Sequence, residues 1–299
     1  AYDRVARYFD ELREAVKDRE VPENPALLGA ELSSRWGEFV DCERRMAGLG
    51  PFLLSVLRTA RPGPVLDAAA GTGCEARFLA RNGFIVVANE ADPKLSPQAR
   101  ALVPEEAGRV QHTQHDWNHF PAHFPEGHFA AVLVLGNSLC LVLDAADRRR
   151  CVEHFFRVLR PGGVLVIDER NFPYIQGNRD AIRANPARNF RYRGSVMYCG
   201  RTIRGIPRRI EENHVTFLYH ARPGAATLEE AEEEYVGTLE MYPFKAGELE
   251  ALLRAAGFER TEVYSDLEPG RREEADFFTY VAHKPVVVRA EVQAAADAR

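Results

Sequence analysis

Residues Val65-Leu66-Asp67-Ala68-Ala69-Ala70-Gly71-Thr72-Gly73 read as an apolar strand running into a glycine turn, and Glu90 stands at the end of the next strand. Glycines let the backbone approach a ligand closely, and an acid at that position can accept from two sugar hydroxyls. The layout predicts a small cofactor with a ribose. Ala76 completes a loose Gly-x-Gly-x-x-Gly/Ala pattern, so a dinucleotide also fits this segment alone. Asp116-Trp117 follows a third strand, where an acid can accept from an adenine amine and an indole can pack on the ring. Leu135-Gly136-Asn137-Ser138 closes a fourth strand, and Arg160-Pro161-Gly162-Gly163 leads into a strand ending in Asp168.

The elements that must position these residues alternate. Val65–Ala70, Phe84–Asn89, Arg109–Gln114, Ala130–Leu135 and Val164–Asp168 read as strands. Glu75–Asn82, Gln98–Leu102 and Ala145–Leu159 read as helices between them. Continuous apolar strands alternating with helices imply a mostly parallel sheet covered on both faces. Before it, residues 1–60 read as helical, with helices over Tyr2–Arg19, Trp36–Met46 and Phe52–Leu57, stopped by Pro62-Gly63-Pro64. After residue 170 the pattern alternates polar and apolar over Arg193–Tyr198, Glu212–Tyr219 and Glu234–Leu239, which predicts a small antiparallel sheet. Ala246–Ala256 reads as a helix and Phe277–Ala282 as a closing strand.

Asp67 lies four residues before the first glycine, and Asp-x-x-x-Gly-x-Gly is typical of S-adenosylmethionine sites. The order of these motifs resembles class I S-adenosylmethionine-dependent methyltransferases. Within them, four segments resemble the glycine and sarcosine N-methyltransferase branch: Val65–Gly73, Leu135–Ser138, Pro161–Asn171 and Met241–Phe244. The resemblance implies an α/β fold, a doubly wound, mostly parallel seven-stranded Rossmann-like sheet with N-terminal helices and an antiparallel insertion. On that reading residues 1–60 form a helical segment, 61–175 and 240–285 the core, 176–239 the insertion near the acceptor, and 286–299 a tail.

The resemblance also implies roles. Ala69, Gly71 and Gly73 would line the methionine and ribose part beside Asp67 and Leu135, with Glu90 on the ribose and Asp116 and Trp117 on adenine. Arg44 or Arg45, with Arg45 preferred, would meet the cofactor carboxylate. Asn137 and Ser138 would face the acceptor amine, Arg170 would clamp its carboxylate, and Tyr192 and Tyr242 would line its pocket. Asn137, Arg170 and Tyr242 are thus the expected catalytic set. The chain departs from the branch at Leu141 (often His), Glu90 (Asp), Asp116 (often Asn), Glu169 (His) and Phe172 (Tyr), mostly on the acceptor side. A sulfonium methyl is already activated, so an amine needs alignment, worth about 7–11 kcal/mol in favourable cases, more than a strong base. The Asn137 carbonyl is expected to orient the amine. The expected function is N-methylation of a small amine such as glycine or sarcosine. The alternatives are methylation of another small molecule at N, O or C, an NAD(P)-binding oxidoreductase, and a non-catalytic adenosine-ligand regulator.

The 299 residues are 45% hydrophobic and 28% charged, with a net charge of -5. That composition suits a globular protein and argues against nucleic acid as a partner, and no apolar run is long enough to span a bilayer. A small-molecule acceptor is the expected partner, and the resemblance implies a homo-oligomer. The five cysteines are odd in number and contain no Cys-x-x-Cys pair, so unpaired residues in a reducing cytoplasm are expected. His112, His115, His119, His123 and His128 suggest a metal, but Pro121 breaks their helical spacing, so loop positions near adenine are expected and no metal. Arg201, Arg204, Arg208 and Arg209 form a loose basic stretch expected to face solvent.

Overall fold

The structure is a computed structural model that describes residues 2–16, 30–60, 62–102, 108–190, 197–198, 200, 202–222, 225 and 227–286. Helix α1 (Tyr2–Val16) buries Val5, Phe9 and Leu12 along one stripe, and its Tyr8 stacks on His128 just before β4 (Phe129–Val134). Helices α2 (Ala30–Ser34) and α3 (Trp36–Phe39) are short, and α4 (Cys42–Thr59) is long. The expected break near Pro51 does not occur. Proline lies inside α4, whose buried Leu49, Leu53, Val56 and Leu57 bind the helix to the core and override the local penalty.

The main sheet has the order β10-β9-β11-β5-β4-β1-β2-β3. Strands β1 (Val65–Asp67), β2 (Val86–Asn89), β3 (Val110–Thr113), β4 and β5 (Leu159–Arg170) are parallel. Strand β11 (Phe277–His283) runs antiparallel between β5 and β9 (Arg260–Ser265). Seven strands match the expected core, and an eighth, β10 (Glu268–Pro269), adds two residues at the edge, too few to leave a pattern. Helices α5 (Cys74–Arg81), α6 (Ser96–Leu102), α7 (Phe120–His123) and α8 (Ala145–Val158) connect the parallel strands. Neighbouring β1 and β4 mark where the strand order reverses, the place where such sheets leave a crevice at the strand C-termini.

After β5 come three short helices, α9 (Phe172–Gly177), α10 (Arg179–Ala184) and α11 (Pro186–Asn189). A separate antiparallel sheet follows, with β7 (Val215–His220) between β6 (Arg204–Ile210) and β8 (Tyr235–Met241). The loose basic stretch is β6: Ile206 and Ile210 are buried, while Arg208 and Arg209 pair at the surface with Glu232 and Glu211. Helix α12 (Leu228–Glu233) precedes β8, and α13 (Glu248–Ala256) precedes β9. The strand expected over 193–198 lies outside the described residues except for its last two positions, and so does the tail from 287.

The expectation of unpaired cysteines needs one correction. Cys42 and Cys74 form a disulfide across 32 residues. They are the first residues of α4 and α5, and the packing of these two helices brings them together. No helix among the described residues is long and apolar enough to cross a membrane. Closing a loop of that length is worth about 2–4 kcal/mol. Thiol labelling of the denatured, unreduced protein should find two fewer reactive cysteines than after reduction, and Cys42→Ser should lower stability by about that amount in urea unfolding.

Candidate active site

A cavity opens at the C-terminal ends of β1, β2 and β4. On the sheet side it is lined by Ala68–Thr72, Glu90, Asp116, Trp117 and Leu135–Ser138. The backbone turn there depends on Gly71 and Gly73 at φ of +54° and +88°, which favour glycine. A Cβ at Gly71 would only touch Trp36, 3.7 Å away, so it is the φ angle, and not the space, that calls for glycine there.

Glu90 is fixed by two backbone donors, with Gly71 N–H on Oε2 at 2.7 Å and Asp92 N–H on Oε1 at 2.8 Å. Each carboxylate oxygen keeps a further lone pair for a ribose hydroxyl. Burial raises its pKa to about 7 against these two donors. Asp116 accepts from Asn118 N–H at 2.7 Å, while Trp117 donates its indole N–H to Ala68 O at 2.8 Å and accepts His154 Nδ1 on its carbonyl. Trp117 is therefore pinned to the residue that follows β1 and to α8.

Arg45 is buried and ion-paired to Glu75, with Nη2 2.5 Å and Nε 2.6 Å from Oε1, and its Nη1 donates to Met197 O. Arg45 lines the cavity; Asp67 does not, lying buried below it. Burial, then Glu75, pushes the Asp67 carboxyl well above the ordinary range. Its Oδ2 is buried without a hydrogen-bond partner among the described residues. A ribose acid with a lone pair left on each oxygen, an acid and indole at the end of the third strand, and a buried arginine on the lining suit the ribose hydroxyls, adenine and carboxylate end of S-adenosylmethionine. The residues present fit that cofactor.

The acceptor side differs more from expectation. Asn137 and Ser138 line the cavity. The Asn137 carbonyl, expected to orient an amine, already accepts from Arg170 N–H at 2.9 Å, and its amide reaches Met241 Sδ at 3.6 Å. The Arg170 guanidinium lies among the rings of Phe190, Tyr198, Phe217 and Phe277, 4.7–5.5 Å from their centroids, and the lining of the cavity does not include it. Tyr242 stacks under Arg148 at 3.5 Å, donates to Glu248 at 2.8 Å and also lies off the lining. Gly73 is not part of the lining either. Tyr192 lies outside the described residues. In place of Arg170 and Tyr242 the wall carries Trp36, Tyr198, Tyr219, Leu239 and Met241. Sequence reasoning passed over these because only tertiary packing of α3 and the small sheet brings them to the cavity.

The histidines form no metal centre: among the described residues no group of three or more potential ligands can hold an ion. His115 stacks face to face on His123, centroids 3.6 Å apart and planes 4° off parallel, and burial followed by that neighbour lowers its pKa to about 4. Ring nitrogens point in the ring plane, so two stacked imidazoles do not converge on one ion.

A methyltransferase-domain family matches residues 65–163. The glycine/sarcosine N-methyltransferase of Parasynechococcus marenigrum is 28% identical over 85% of this chain and 83% of its own length. That of Aphanothece halophytica is 27% identical over 90% and 93%. An S-adenosylmethionine-dependent methyltransferase from Clostridium acetobutylicum shares the fold, with a TM-score of 0.60 at 14% identity over 82% of this chain and 93% of its own. The chain is an S-adenosylmethionine-dependent methyltransferase. Within that class it resembles the glycine and sarcosine N-methyltransferases.

Two outcomes follow from the cofactor side. Glu90→Ala should weaken S-adenosylhomocysteine binding by about 10- to 100-fold in calorimetry, the range for hydrogen bonds to a charged group. His115 is neutral when folded and takes up its proton at a higher pH when unfolded, so its stabilisation is present above pH about 6.5 and lost as pH falls toward 4. His115→Phe should therefore flatten the loss of stability between pH 7.5 and 5 in urea titrations.

Proposed function

We propose that this methyltransferase N-methylates a small amino acid, with glycine and sarcosine the first candidates. The observation that carries the reading is the near full-length similarity to two glycine/sarcosine N-methyltransferases, together with an acceptor turn, Leu135–Ser138, on the wall of the cofactor cavity. S-adenosylmethionine supplies a methyl already activated on a sulfonium. The chain's own work is then positional. Trp117 and Glu90 hold the adenosine end, and Arg45, although paired with Glu75, is the cation that the lining offers the carboxylate end. The turn at Asn137 faces the amine. The acceptor must arrive as the neutral amine, and water can take the proton.

Arg170 is the proposed carboxylate partner. Its guanidinium reaches an acceptor only if Tyr198, one of the rings around it and itself on the cavity wall, leaves it a path. A second reading has support from that same wall. Trp36, Leu239 and Met241 make it largely apolar, which suits a larger amine from another small-molecule series.

Methyl transfer from labelled S-adenosylmethionine to a panel of amines distinguishes the two. Glycine and sarcosine are expected to turn over, and Arg170→Ala should raise their KM about 10-fold or more, as for loss of a charge-assisted pair, with S-adenosylhomocysteine affinity unchanged. Turnover only of amines lacking a carboxylate would sink the amino-acid reading and favour the larger acceptor.

A further inference from the structure

The turn that faces the acceptor is held from below by a residue off the cavity. Gly136 and Asn137 have successive left-handed φ angles of +82° and +60°. That region costs most side chains roughly 1–2 kcal/mol, less for asparagine, so something must hold it. Successive N–H groups in such a turn point into one concavity that suits an anion. The anion here is Asp168. Its Oδ2 accepts from Gly136 N–H at 3.0 Å and its Oδ1 from Asn137 N–H at 2.6 Å. From the other side the Tyr198 hydroxyl donates to Gly136 O. Arg170 N–H, two residues along the same strand, fixes the Asn137 side chain. Gly136, Asn137, Ser138 and Tyr198 line the cavity; Asp168 is buried beneath them.

We propose that Asp168 is a positioning residue for methyl transfer, its ionised carboxylate and the Tyr198 hydroxyl together holding the Gly136–Asn137 peptide toward the acceptor. This rests on the turn being the acceptor-facing wall, and on no particular amine. The hold depends on charge: a carboxylate offers both oxygens to the two N–H groups, and a protonated acid loses one of them to its own hydrogen. Arg45 of α4 favours the ionised form and Glu75 of α5 opposes it; Tyr198 and Cys140 also face the group. Burial outweighs the two N–H donors and Arg45 and raises the Asp168 pKa to about 6. The turn therefore loosens as pH falls through that value.

Asp168→Asn places an amide N–H2 against one of the two backbone donors. With saturating S-adenosylmethionine at pH 8, kcat/KM for whichever amine turns over should fall about 10-fold or more, with S-adenosylhomocysteine affinity kept within about threefold. The ratio of wild type to variant should shrink toward one below pH 6, because the wild-type acid is then neutral too. Taking a ratio cancels the acceptor's own titration. A ratio flat from pH 5 to 8, or loss of cofactor binding in parallel with turnover, would overturn the proposal. If the variant does not fold, the wild-type protein still gives an answer that needs no acceptor. The amide resonances of Gly136 and Asn137 in the 15N-labelled protein should titrate together with a midpoint near pH 6, and amides insensitive to pH there would refute the lock.

Discussion

The buried contact between Arg45 and Glu75 ties together three parts of the chain that lie far apart in sequence. Arg45 belongs to α4, ahead of the core; Glu75 opens α5, just past the glycine turn; Met197, which accepts from the same guanidinium, lies on the approach to the small sheet. A buried charge left alone is very costly, so each part holds the others in place. The disulfide between Cys42 and Cys74 runs beside this contact, one turn before Arg45 and one residue before Glu75. The crevice at the end of β1 thereby becomes a walled cavity rather than an open groove.

The balance of charge around Arg45 has a further consequence. Asp67, Glu75 and Asp168 all interact with this one guanidinium, and two of them, Asp67 and Asp168, have their pKa values raised by burial. Burial makes both acids hold their charge poorly, so each depends on the nearby guanidinium to stay ionised, and a cationic group bound close by would favour the ionised forms further.

The parallel strands are continuous apolar runs because both faces are covered, so β1, β2, β4 and β5 were legible from residue types alone. Glu90, Asp116, Trp117 and the Leu135–Ser138 turn, all singled out in the sequence at strand ends, do line the cavity, because strand ends of a parallel sheet open into its crevice. Other features depend on distant partners. Pro51 sits within a helix because the core holds α4 there, and the Arg208-Arg209 stretch hides a strand because its ion partners, Glu232 and Glu211, satisfy it at the surface. Nothing near Cys42 or Cys74 in sequence announces their pairing.

The acceptor wall was least legible because no single segment builds it. Helix α2 is fastened to the core by Ser33, which donates to Asp92 at 2.9 Å, and to the small sheet by Leu32, packed where a side chain at Gly237 would collide with it. Next to it, Gly200 N–H donates to Phe39 O at 3.0 Å, and Phe39 stacks on Tyr198 and meets Tyr219 edge-on. Trp36, Tyr198 and Tyr219 thus reach the cavity only when the N-terminal helices, the core and the small sheet are docked together. Cofactor recognition can stay constant while a change anywhere in these three contacts reshapes the acceptor side. The packing around Phe39 therefore decides how Tyr198 and Tyr219 present themselves to the cavity, whatever the polar residues nearby.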